Sequence, residues 1–219
     1  YKKVDKTGNY AKILIEYVKN NDYNEEIYLE LIDTLIYFND YETKTYCENF
    51  LNRKGRSFES HVLILKRLIP SSDLNEYIDE LLTHLSYAKV NEEENDEYYY
   101  LYARYMLKKK NVNIALDYFN KVGDNYLQDD FEFNKYFGKT CLMLKNYKKA
   151  IKLFKKALNI EKNDWEMSLY IGECYLKLEN YEGANKYLSY SSKKDANAKN
   201  NLKLNLSLGR LYYKLKNYL

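Results

Sequence analysis

Leu144–Leu158 reads LKNYKKAIKLFKKAL. Its apolar residues Ala150, Ile151, Phe154, Ala157 and Leu158 recur at helical spacing and predict an amphipathic helix. Asn146 stands just ahead of that helix, where a short polar side chain caps it or makes the turn into it. The same words return from Leu178 as LENYEGANKYLSYS, and the chain's last five residues, Leu215–Leu219, read LKNYL. Tyr147 and Tyr181, Gly138 and Gly172, and Ala150 and Ala184 are each 34 residues apart. Three anchors at one spacing signal an internal repeat, and a repeat governs the whole fold. A chain that stops at LKNYL stops on the opening of another unit. The expectation is that the 219 residues are a window on a longer array.

The composition agrees with helices. One Pro and seven Gly leave little material for hairpins and tight turns. Hydrophobic residues make up 46%, which excludes a disordered chain. With 27 Tyr, many rings are expected to fill a core while the hydroxyl reaches a polar edge. The three cysteines, Cys47, Cys141 and Cys174, are odd in number and far apart, and no CxxC occurs. That argues against a disulfide framework or a zinc ribbon and for a reducing, cytoplasmic compartment. No apolar run approaches the roughly 18 residues of a membrane span. Charge is uneven: residues 1–95 carry 12 Lys/Arg and 18 Asp/Glu, net −6, and residues 96–219 carry 23 and 14, net +9. The division falls near Asn91–Glu97, NEEENDE, whose acids also suit a helix start. The halves suit different neighbours or partners.

The anchors resemble those of the tetratricopeptide repeat, a 34-residue helix-turn-helix unit. That family has a small residue at position 8, Tyr at 11, a small residue at 20, an aromatic at 24 and a small residue at 27. The unit at 131–164 offers Gly138, Ala150, Phe154 and Ala157, and the unit at 165–198 offers Gly172, Tyr175 and Ala184. A unit from Asp96 offers Ala103, Ala115 and Phe119, and one from Leu202 offers Gly209 and Tyr212. Position 32 carries Lys162 and Ala196 in place of the common Pro, position 11 carries Cys141, and position 27 carries Ser191. The resemblance implies an all-α fold, a right-handed α-solenoid of antiparallel helix pairs in which each unit buries its apolar face on the next. Repeats are expected near 96, 131, 165 and 202, the last truncated, within one continuous solenoid. Residues 1–95 read as divergent repeats. Gly8–Asp22 looks like a lone second helix. Glu25–Leu51 looks like a pair, with FNDY (Phe38–Tyr41) in place of LKNY and the small anchor lost to Lys44. Glu59–Ile69 and Asp73–Val90 form another pair, with Pro70–Asp73 as the turn and Asp73 as N-cap.

No catalytic constellation appears, and neither a cofactor nor a metal is expected. FGKTC (Phe137–Cys141) has the GK[ST] of a phosphate loop, but Phe133 stands where that loop needs a glycine. His61 and His84 sit in no ligand pattern, and Cys141 and Cys174 read as small buried hydrophobes. The run Lys145, Lys148, Lys149, Lys152, Lys155 and Lys156 reads first as a solvated outer face. The alternative is contact with an acidic partner, a membrane surface or nucleic acid. A chain this mildly basic, with no one-base-per-repeat pattern, argues against nucleic acid.

In the resembled family the first helix of each unit lines an inner groove. Carried over, position 9 gives Arg104, Lys139, Glu173 and Arg210, and position 13 gives Lys108, Met143, Lys177 and Lys214. Positions 5, 6 and 12 give Tyr100, Lys135, Tyr136, Tyr170 and Tyr213, while position 2 gives Glu97, Glu132, Glu166 and Lys203. Tyrosine offers broad contact at low entropic cost, and Arg or Lys pairs with carboxylates. The expected partner is another protein, through a peptide or helical segment of acidic and aromatic character. The Lys and Asn pattern with which chaperone-binding members clamp a terminal carboxylate is absent: position 5 has Lys135, but position 9 has Lys139. The leading expectation is therefore an interaction scaffold. A peptide-sensing regulatory domain and the accessory array of an enzyme are the alternatives.

Overall fold

The computed structural model describes residues 2–55, 57–71, 73–88, 92–123, 129–195 and 197–216, and its regular structure is helical throughout. The chain divides into two units, Tyr1–Lys108 and Lys109–Leu219.

The first unit holds α1 (Lys2–Asn20), α2 (Glu25–Tyr37), α3 (Thr43–Arg53), α4 (Phe58–Ser71), α5 (Asn75–Ala88) and α6 (Glu92–Lys108). Helices α2, α4 and α6 pack in succession, with α3 on α2 and α4, and α5 on α4 and α6. This is a stack of helix pairs. Tyr105 ties α6 to α5: its ring is fully buried, and its hydroxyl donates to the Asn75 carbonyl (2.9 Å) and to Asp79 Oδ2 (3.1 Å). That is the expected use of tyrosine as a core residue with a polar tip. Lys66 on α4 pairs with the buried Glu97 on α6 at 2.8 Å, and Arg67 pairs with Asp33 on α2 at 3.1 Å.

The second unit holds α7 (Val112–Phe119), α8 (Phe131–Met143), α9 (Tyr147–Ile160), α10 (Trp165–Lys177), α11 (Tyr181–Lys194), a 3-10 turn (Ala198–Asn200) and α12 (Leu202–Lys216). Each helix packs on the next, and α12 also rests on α10. The seam on α9 is the one read from the sequence: Ala150, Phe154 and Ala157 are fully buried. Gly138 and Gly172 are close-approach glycines. A Cβ on Gly138 would lie 2.6 Å from Phe154 Cε1, and one on Gly172 would lie 2.6 Å from Leu188 Cγ. Leu169, Ala184, Leu188, Leu204 and Leu211 form one buried cluster that seats α12 on α10 and α11. The fold class is that of an α-solenoid of helix pairs.

The LKNY motif closes one helix and opens the next. Lys145 takes a left-handed backbone (φ 61°), Asn146 N–H donates to the Cys141 carbonyl (2.8 Å), and Lys145 N–H donates to the Leu142 carbonyl (3.0 Å). Those two bonds make a Schellman closure, which satisfies the carbonyls a helix end leaves open. Asn146 Oδ1 then accepts from Lys149 N–H (3.3 Å) as the cap of α9. Glu179 (φ 57°) and Asn39 (φ 51°) repeat the left-handed closure, with Asn180 and Asp40 in the place of Asn146.

Several local expectations are corrected. FNDY makes the same closure, but Asp40 Oδ1 accepts from Glu42 N–H (2.8 Å), and α3 begins only at Thr43. The seam therefore slips by one residue. Thr43, Cys47 and Phe50 are buried at the spacing of Ala150, Phe154 and Ala157, and Lys44 is exposed. Pro70 lies inside the end of α4, and α5 starts at Asn75, so Asp73 sits one residue before the cap position. Gly209 and Tyr212 do not act as packing anchors. An added Cβ at Gly209 meets nothing within 4 Å, and Tyr212 is 57% exposed, because no helix after α12 occurs among the described residues. Tyr175 is half-buried, under Lys155 and against the Gly183 backbone of α11. Asn91 and Asn217–Leu219 of the sequence motifs lie outside the described residues.

Candidate functional site

The second unit brings the polar faces of α8, α10 and α12 together. Asp164 caps α10 by accepting from Met167 N–H (2.8 Å), which places Glu166 in the first helical turn. Lys135 and Lys139 lie one turn apart on α8 and both reach that carboxylate, at 3.2 and 3.1 Å. One turn further along α10, the Tyr170 hydroxyl donates to Glu166 Oε1 (2.8 Å). Burial acting alone would raise the Glu166 carboxyl. The Tyr170 hydroxyl and the ammonium groups of Lys139 and Lys135 outweigh it and hold the group below the ordinary carboxylate range. Burial and the bond to Glu166 together push the Tyr170 phenol up. The Tyr170 ring stacks on Phe154 beneath (5.1 Å) and carries Lys203 Nζ of α12 4.1 Å from its centroid. Lys203 also pairs with Glu173 (2.9 Å), and the Ser207 hydroxyl donates to the same carboxylate (3.3 Å).

The network takes up three of the second unit's cations read as groove residues, Lys135, Lys139 and Lys203. Lys135, Lys139, Tyr170 and Lys203 are engaged with Glu166 or Glu173 of the neighbouring repeat. Tyr136 is half-buried, with Lys139 Nζ 5.8 Å from its ring centroid. Lys177, Arg210 and Lys214 remain, exposed and with no ion pair among the described residues. These three cations surround a cavity of about 340 Å³ whose apolar walls are Leu142, Leu176, Tyr181 and Tyr213, with Glu173 and Ser207 at its edge. Leu142 and Leu176 were not marked by sequence reasoning, and Tyr181 was marked only as a repeat anchor, because they lie on apolar rows that resemble core. The signal for the ion network was present: opposite charges stand at positions 2 and 9 of successive repeats.

Tyr100, Arg104 and Lys108 belong to the first unit. Tyr100 and Arg104 are 3% and 9% exposed, with the guanidinium 5.5 Å from the Tyr100 centroid. Partial burial pulls the Lys108 amine down, against an opposing pull from Asp73.

The rest of the inventory is quiet chemically. Gly138, Lys139 and Thr140 of FGKTC are mid-helix, and the Thr140 hydroxyl bonds back to the Tyr136 carbonyl (2.9 Å). Cys47, Cys141 and Cys174 are free thiols at 0% exposure, and burial pushes them up to about 12, about 11 and about 12. Buried His61 faces the Ser57 carbonyl through Nδ1 (2.8 Å), with the exposed His84 ring 6.1 Å away. No cluster of His, Cys, Asp and Glu among the described residues could hold a metal, and no helix there is long and apolar enough to cross a membrane.

Residues 142–198 match the tetratricopeptide repeat family. Among solved structures, MamA is similar at a TM-score of 0.57 and 16% identity, over 75% of this chain and 89% of that one. YrrB, described as a TPR protein with an unusual peptide-binding site, is similar at 0.57 and 14% identity, over 91% and 99%. The pilF protein of Pseudomonas aeruginosa is similar at 0.60 and 14% identity, over 88% and 90%. At these identities the likeness is one of fold. No curated protein sequence matches the chain. Residues 142–198 carry tetratricopeptide-repeat sequence, and the fold of the chain is the one seen in MamA, YrrB and pilF.

Proposed function

We propose that this tetratricopeptide-repeat protein is a protein–protein interaction scaffold, with a peptide-binding groove on the α8, α10 and α12 face of its second unit. The observation that carries the reading is the cavity framed by Lys177, Arg210 and Lys214. Its walls are apolar and its cations have no ion pair among the described residues, so its chemistry suits a large apolar side chain next to a carboxylate. The Glu166 network beside it is already neutralised and holds the neighbouring helices at a set spacing, which lowers the ordering cost of binding. A peptide-binding site in YrrB, a protein of the same fold, supports the same class of ligand here. The first unit we read as divergent repeats of the same array. The three thiols are buried and burial raises them, which argues against a cysteine nucleophile.

The test is a peptide array in which an aromatic or leucine residue is placed beside Asp or Glu. Hits are followed by titration against the chain and against Arg210→Glu/Lys214→Glu. Binding that weakens at least about tenfold in the variant supports the groove, since two attractive charges become repulsive. Hits whose affinity is the same in both proteins would remove it.

A further inference from the structure

Helices α9 and α11 both pack on α10, and an outer cleft opens between them. Two contacts fix its walls. At one, Lys155 Nζ donates to the Tyr175 hydroxyl (3.0 Å). Tyr187 of α11 stacks on that Tyr175 ring (5.8 Å between centroids, 25° between planes), with Lys155 Nζ 5.7 Å from the Tyr187 centroid. At the other, the Tyr190 hydroxyl donates to the Lys162 carbonyl (3.0 Å). The cavity measures about 370 Å³. Leu158, Asn159, Tyr187 and Tyr190 wall it, together with buried Ser168 of α10, whose hydroxyl is engaged by the Asp164 carbonyl (3.2 Å). Lys162 and Lys186 also line it, both exposed and with no ion pair among the described residues. No Asp or Glu lines it, and Glu161, next to Lys162 in sequence, is exposed outside the lining. The cleft is aromatic, fixed and cationic.

The chain also carries a complementary piece. In the turn between α2 and α3, Tyr41 is 88% exposed. Asp40 and Glu42 flank it, and neither has an ion pair among the described residues. Asp40 uses one carboxylate oxygen on the Glu42 N–H (2.8 Å), which together with left-handed Asn39 fixes the turn. Lys44, the nearest cation in sequence, pairs instead with Glu80 (3.5 Å). A ring held out between two carboxylates matches the cleft in chemistry and opposes it in charge. Residues 1–95 carry net −6 and residues 96–219 net +9, which favours the same encounter between copies.

We infer that the cleft is a self-association site that takes the Tyr41 turn of a second copy. The ring enters between Tyr187 and Tyr190, where stacked or edge contacts are available, and Asp40 and Glu42 meet Lys162 and Lys186. Knob and cleft are different surfaces, so the contact is heterologous, and every dimer retains one free knob and one free cleft. One ring and two ion pairs make a small interface, so the association is weak and falls with dilution and salt. It uses neither the groove nor its cations.

Sedimentation velocity of the full chain from about 10 to about 500 µM tests this, since weak contacts of this size dissociate in that range. Tyr41→Ser and Lys162→Glu/Lys186→Glu alter exposed residues, and circular dichroism verifies their folds. The wild type is expected to associate as concentration rises, and less so in high salt. Each variant is expected to associate at least about tenfold more weakly, and Arg210→Glu/Lys214→Glu to match the wild type. Tyr41→Ser keeps its cleft, and the lysine variant keeps its knob. Their mixture is therefore expected to form a one-to-one complex and nothing larger. A wild type that stays monomeric throughout overturns the proposal. So does association that survives both variants, or two weakened variants that fail to pair when mixed. Loss in the groove variant alone would place self-association at the groove and overturn it here.

Discussion

The α2–α3 pair of the first unit and the helix pairs of the second arrange their volumes in opposite order. In the second, the first helix supplies glycine and the second helix supplies bulk: Gly138 against Phe154 and Gly172 against Leu188. In the first unit the corresponding positions, counted from the left-handed turn residue and the buried seam, are Ile32 and Cys47, both at 0% exposure. In the α2–α3 pair, bulk is on the first helix and the small residue is on the second. The summed volume across a helix pair matters more than which helix provides it, because interiors close-pack whatever the order of the pieces. A family pattern written as small at 8 and aromatic at 24 is therefore one of two workable assignments. This is why α2 and α3 looked degenerate in sequence.

The largest expected effects test that exchange. Ile32→Ala should destabilise the first unit by about 2–5 kcal/mol through loss of buried surface and a residual cavity. Gly138→Val should destabilise the second by about 1–3 kcal/mol through overpacking against Phe154. Urea unfolding followed by far-UV circular dichroism reads both, and fluorescence of Trp165, the chain's one tryptophan, reports the second unit. Tolerance of both substitutions would break the comparison.

A smaller effect is expected at Glu166, which both Lys135 and Lys139 use. Glu166→Gln should cost about 1–3 kcal/mol in the second unit, since charge-assisted bonds are lost and two lysines are left facing a neutral amide. Because the native carboxyl is held below its ordinary value, its stabilisation is fully present above the unfolded value of about 4.3. It fades as pH falls through the lower folded value. The wild-type Trp165 transition should therefore lose stability on acidification below about pH 4.3, and the variant should lose less there. Equal acid sensitivity in the two proteins would show that Glu166 is not the titrating group.

The smallest effect separates the turns. Asn39 and Lys145 share the left-handed backbone, but asparagine tolerates it better than lysine does. Lys145→Gly should gain about 0.5–1 kcal/mol by relieving that strain, whereas Asn39→Gly should change little. An equal gain at both sites would mean that the two closures are not the same motif in energetic terms.

Much of this architecture was legible because it is local. The closing bonds of LKNY run from Asn146 to Cys141 and from Lys145 to Leu142, within a few residues of one another, so the motif carries its own geometry. The Ala150, Phe154 and Ala157 seam follows from a helical period and needs no partner to be recognised. The slip at FNDY was not legible, because it turned on Asp40 bonding to Glu42 rather than capping one turn further on.

The charges were the least legible. Sequence listed Lys135, Lys139, Lys177, Arg210 and Lys214 as equivalent cations, and nothing in their local context separates them. The fold separates them, because Glu166 stands 27 residues after Lys139 and reaches it only once two repeats are stacked. The same stacking sends Lys155 of α9 to Tyr175 of α10. Helix, turn and repeat length are set by contacts within a few residues. Which charges stay available to a partner is set by side chains about one repeat away, and no local pattern encodes that.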